Sequence, residues 1–150
     1  MATATEMMAR ARRQALAASL ASARMEQLRS LRFEFDESGG RLTDTATDLT
    51  IDPAGSGGPG LSPSGAGALD ANLSGFVDYL DGRGSWVGAG PAAPPGAAFV
   101  RRWSVEPADA GSDLLVLQVL VRPVVAGSAG AVGRLDGGAR YVTLRARTRR

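Results

Sequence analysis

A chain of 150 residues suits one hydrophobic core, and 44% hydrophobic with 21% charged content is the balance of a globular protein rather than a disordered one. All 17 basic residues are Arg, and the absence of His, Lys and Cys excludes an imidazole base, a thiolate nucleophile, a thiolate zinc site, a disulfide and a lysine Schiff base. The net charge is only +2, so the sequence pI near 9.9 overstates the basicity, and the Arg, Ala and Gly usage is that of a GC-rich genome more than a functional signal.

Thr3 and Thr5 are candidate N-caps, with Glu6 in the first turn. From there to about Arg32 the chain lacks Gly and Pro and is dominated by Ala, Leu, Met, Arg, Glu and Gln. This predicts one helix of roughly 27 residues, about 40 Å long. Leu16, Leu20, Ala23, Gln27 and Leu31 step along one face with Leu28 beside it, so Leu16, Leu20, Leu28 and Leu31 are the expected anchors on a sheet. Before Leu16 there are only Ala, Met7, Met8 and the cluster Arg10, Arg12, Arg13. The second half of the helix is therefore expected to pack, and the first half to be exposed or turned to a partner. The helix is expected to stop in Asp36–Gly40, where Gly39 and Gly40 allow a left-handed cap.

Residues 36–75 read as a long Gly-rich loop, with one short strand near 48–51. Ile51-Asp-Pro53 and the Gly/Pro run over 55–60 are expected to sustain neither ladder nor helix. Strand signals then follow quickly. Phe76–Leu80 alternates at period two, Asp81–Gly84 turns, and Ser85–Val87 completes a hairpin. Ala98–Val105 is a second long strand, Leu114–Arg122 the most apolar and so the expected central one, and Tyr141–Arg147 the last, after a Gly-rich loop over 126–138. Strands joined by turns give an antiparallel sheet, here over 76–150, and the helical stem over 1–35 is the available cover for its apolar face. The fold class is α+β: one domain over 1–150, a long N-terminal helix on a sheet of four or five antiparallel strands. The longest apolar run, Leu114–Leu117, is far short of a membrane span, and residues 1–13 lack the apolar core of a signal peptide.

Asp44, Asp48 and Asp52 recur every four residues near Asp36 and Glu37. Their spacing is not that of a calcium loop, and they read as caps of turns. The Gly run at 55–60 lacks the Lys-Ser/Thr ending of a phosphate loop. Asn72-Leu-Ser74 is a possible glycosylation acceptor, with Asp70 two residues before Asn72. Trp86 and Trp103 are expected to pack in the sheet. Arg145, Arg147, Arg149 and Arg150 form a basic end that, with Arg101, Arg102 and Arg122, offers a possible nucleic-acid contact through phosphates. Without His no standard triad can be built, so no catalytic residue, metal site or cofactor is expected and the chain is read as not an enzyme. A hydrolase working through paired carboxylates is formally open, but no such pair stands on a strong apolar scaffold.

The run Arg10-Ala-Arg-Arg-Gln-Ala-Leu-Ala-Ala-Ser-Leu-Ala-Ser-Ala-Arg-Met-Glu-Gln-Leu-Arg-Ser-Leu31, above all residues 23–31, resembles the stem segment of type IV pilin-like proteins, the minor pilins and the pseudopilins of type II secretion. The order of helix, variable loop and antiparallel sheet is similar to theirs. The resemblance implies a structural subunit of a pilus or pseudopilus, placed in the bacterial inner membrane and periplasm and acting by filament assembly. It implies that other pilin or pseudopilin subunits are the partners, with Met7, Met8, Arg10, Arg12 and Arg13 facing them. Residues 4–15 then look like the lower part of a longer stem. The leader and apolar run that bring such proteins to the membrane are not in this sequence, so a membrane contact is expected only with a further N-terminal segment. The alternative is a DNA-binding minor pilin, or a small nucleic-acid-binding module using the C-terminal arginines.

Overall fold

The structure, a computed structural model, describes residues 1–124 and 137–149. Thr3 opens α1 (Ala4–Ser30) with a capping box: the Glu6 amide donates to the Thr3 hydroxyl at 3.2 Å, and the Thr3 amide to the Glu6 carboxylate at 2.7 Å. Every residue from Met1 to Ala15 is exposed, and burial begins at Leu16 and Ala17. The buried stripe is Ala17, Leu20, Ala21, Arg24, Met25 and Leu28. Of the four expected anchors, Leu20 and Leu28 are buried, whereas Leu16 and Leu31 pack half-exposed against the same core. Ala23 and Gln27, expected on this face, are exposed. The stripe instead runs through Arg24, which a carboxylate of the sheet holds inside.

The helix does not run into Asp36–Gly40. It ends at Ser30, and Leu31 is already extended, with φ −67° and ψ 150°. Phe-Glu-Phe alternates at the period of a strand, and β1 (Phe33–Phe35) begins at once with Phe33 buried. Gly39, at φ 85°, turns β1 into the antiparallel β2 (Arg41–Thr43) rather than capping a helix. Asp36 Oδ1 holds that turn by accepting from the Ser38 and Gly40 amides at 2.9 and 2.7 Å.

The long loop is more ordered than its composition suggests. β3 (Thr47–Asp48) pairs with β4 (Gly55–Ser56), so the Gly/Pro run does sustain a short ladder. Leu49 and Leu61 plug the core from either side of it. Gly60, at φ 53°, approaches the Asp44 carbonyl so closely that a Cβ would lie 2.6 Å from its oxygen. No other residue type fits there without strain.

The main sheet comprises β5 (Val77–Leu80), β6 (Trp86–Ala89), β7 (Phe99–Pro107), β8 (Leu114–Pro123) and β9 (Ala139–Ala146). Its order is β6-β5-β7-β8-β9, antiparallel throughout. The apolar β8 is interior, but the middle strand is β7. A last strand, β10 (Thr148–Arg149), runs parallel beside β1 and makes a small sheet β10-β1-β2. Residues 126–136 of the expected Gly-rich loop lie outside the described residues.

Register assigns the faces. Directly opposed residues share a face, so Asp78, Arg101, Val121 and Ala139 lie on one side, as do Trp103, Val119 and Tyr141. This is the side under α1. The helix runs alongside β9, with Arg13 near Gly137 and Leu28 near Arg145, so its first half projects past the start of that strand. No helix among the described residues is long and apolar enough to cross a membrane.

Candidate functional site

Within the projecting stub of α1, the helical period separates two faces. Arg10 and Arg13 continue the buried stripe beyond the sheet. Ala4, Met8, Ala11 and Ala15 lie on nearly the opposite side, with Arg12 flanking them. Met7 and Met8 are 62% and 59% exposed. Met7, Met8, Arg10, Arg12 and Arg13 are thus gathered on one free segment.

Beneath the second half of α1 lies a buried ionic cluster. Asp78 Oδ2 accepts from the Arg24 guanidinium at 2.8 Å and from Arg101 at 2.6 Å, and Arg101 Nε donates to Asp78 Oδ1 at 2.9 Å. Arg101 also donates to the Leu20 carbonyl of the helix at 3.2 Å. Arg24 lies over the Trp103 ring, 4.3 Å from its centroid, and its buried Nε has no hydrogen-bond partner. Burial, and then the like charge of Arg101, push the Arg24 guanidinium down to about 10, while Asp78 opposes the shift. All three side chains are enclosed. The cluster clasps helix to sheet; it holds neither a nucleophile nor open space.

The C-terminal arginines are not one free patch. Arg145 donates to the Leu28 carbonyl at 2.9 Å and to the Leu31 carbonyl, satisfying the end of α1. Arg147 stacks on Phe33, 3.9 Å from the ring centroid. Its nitrogens donate to Asp113 Oδ1 at 2.9 Å, the Leu42 carbonyl at 2.9 Å and Thr43 Oγ1 at 3.0 Å. Arg41 grips the same Asp113 at 2.8 Å and holds its carboxyl below the usual range. Arg149 is exposed beside Phe35, and Arg150 lies outside the described residues. Arg101 faces the helix while Arg102 and Arg122 face the other side, so the sheet does not gather these arginines into one surface.

The Asn72 carboxamide is engaged at both ends. Its Nδ2 donates to the Pro91 carbonyl at 2.9 Å, and its Oδ1 accepts from Arg102 at 3.0 Å. Asn72 thereby joins the loop to the sheet. Asp44 accepts from the Ala46 and Thr47 amides at 3.0 and 2.9 Å, and Asp48 from the Thr50 amide at 2.8 Å, the turn-capping role expected of them. Trp103 is buried in the core, and Trp86 is half-buried with its indole donating to the Thr50 carbonyl at 2.8 Å. An open groove of about 510 Å³ lies between the end of α1 and β1–β2. Arg145, bound to helix carbonyls, and Glu34, 3.6 Å from Arg32, are among the residues lining it.

The clasp was missed by pattern reading, although it left a trace. Asp78 shares the apolar face of Phe76 and Leu80, and Arg24 lies in the row of Leu20 and Leu28, so two opposite charges stood on faces meant for burial. Comparison with family models, with curated proteins and with solved structures finds no match to this chain.

Proposed function

We propose that this chain is a structural subunit that acts by assembly rather than by catalysis, a pilin-like or pseudopilin-like protein of a type IV pilus or type II secretion pseudopilus in the bacterial envelope. One observation carries the reading. The helix is divided into a half with every side chain exposed, from Met1 to Ala15, and a half fastened to the sheet from Leu16 onward. A helix whose side chains stay exposed over about three turns is marginal in water by itself. Its apolar positions are accounted for if other subunits cover them. The clasp and the Arg145 cap serve this role by fixing the direction in which the stub leaves the sheet. The test is to express the gene in its host and probe sheared surface filaments and inner-membrane fractions with a specific antibody. Recovery in either fraction is expected, and absence from both overturns the reading.

A further inference from the structure

The face of the main sheet away from α1 is covered over β5 and β7, where Val77, Tyr79 and Ser104 are buried, and is open along β9. The face away from α1 carries Leu114 and Val116 of β8 and Val142 and Leu144 of β9. Val142 and Leu144 are 58% and 65% exposed, on a strand that ends the sheet order. Glu106 of β7 is directly opposite Val116, which is directly opposite Leu144, so an exposed carboxylate terminates the apolar row. The other end of this face is basic, with Arg102 and Arg140 flanking Leu120.

We propose that this outer face of β8–β9 receives the α1 stub of a second copy of the chain. The proposal rests on the assembly reading and names the partner surface. The stub presents Met8, Ala11 and Ala15 away from its own sheet, with Arg12 one turn from Met8. Laid across the strands with Met8 over Leu144, such a helix places Arg12 about 6 Å further on, near β8. Glu106 then lies about one strand spacing, roughly 4.8 Å, beyond, within reach of a guanidinium. The small alanines let helix and sheet approach closely. Arg102 and Arg140 repel the stub's arginines from the opposite end, which sets the direction of docking. Donor and acceptor surfaces lie on different parts of one chain, so the contact is heterologous and repeats from copy to copy.

The absence of Cys makes the test direct. Met8→Cys and Leu144→Cys variants are mixed and oxidised, both as purified chains and co-expressed in sheared filaments, with the exposed Glu26→Cys as a control partner. The Met8→Cys/Leu144→Cys adduct is expected as the dominant product. Glu106→Arg is expected to lower its yield about threefold, and Arg12→Glu in the donor to restore it. Dominance of the Met8→Cys adduct with itself would overturn this inference while leaving assembly through helix pairing intact. No adduct, or one no more abundant than the Glu26→Cys control, also overturns it. Only absence from the filament and membrane fractions reaches the assembly reading itself.

Discussion

Asp78 is one carboxylate shared by two buried guanidiniums. Burial and the like charge of Arg101 hold the Arg24 guanidinium down at about 10, disfavouring its charged form. Removing the anion and removing one cation should therefore differ sharply. Asp78→Asn leaves two uncompensated charges and is expected to cost about 3–5 kcal/mol in urea unfolding, whereas Arg24→Met leaves the Asp78–Arg101 pair intact and is expected to be near neutral. Equal losses from both would refute this account. At the surface, Asp36, Asp81 and Asp113 are all held below the ordinary carboxylate value of 3.8, Asp36 chiefly by the Ser38 hydroxyl, Asp81 by the Ser85 amide and Asp113 by Arg41. A carboxyl whose folded value lies below its unfolded one stabilises the fold above the unfolded value and loses that contribution as pH falls through the folded one. The urea midpoint is expected to hold above about pH 4 and to fall below it. An Asp113→Asn chain should show a shallower fall. These residues differ in how visible they were in sequence. Asp44 and Asp48 could be assigned to turns because they bond residues two or three positions away. The Asp78 pairings span 54 and 23 positions, which no local pattern encodes.

At the scale of elements, α1 and the strands of the main sheet were legible from period and punctuation. β1 was not: only two residues separate it from the end of the helix, and its pairing with β10 joins distant parts of the chain. The two-residue ladder of β3 and β4 was hidden because turn bonds from Asp44 and Asp48, rather than strand propensity, place it. The capping box at Thr3 and Glu6 belongs to a segment whose residues are all exposed, so its loss should stay local. Thr3→Ala is expected to weaken the start of the helix by about 1 kcal/mol. The readout is faster amide exchange over the first turns of α1 with an unchanged global unfolding midpoint. A shift of that midpoint would mean that the stub is coupled to the core.

For the whole molecule, the division of α1 separates folding from association. Deleting residues 1–15 removes no buried side chain. The shortened chain is expected to keep its near-ultraviolet circular dichroism, which reports Trp103 in the core, and its melting temperature within about 2 °C. It should no longer enter assemblies. A substantial loss of stability would show that the stub folds back on its own sheet, and retained assembly would show that it is not the contact.

The Arg145 cap has a consequence in time. Its guanidinium and the Leu28 carbonyl it satisfies are 117 positions apart. At 5–20 residues per second a ribosome takes on the order of ten seconds to make that stretch. Through that interval the helix has emerged, but the residue that completes its end, and the β9 strand it lies along, have not. The clasp through Asp78 and Arg101 can close earlier, but the end of α1 and its flank along β9 must await nearly the whole of synthesis, and until then they are open to other chains.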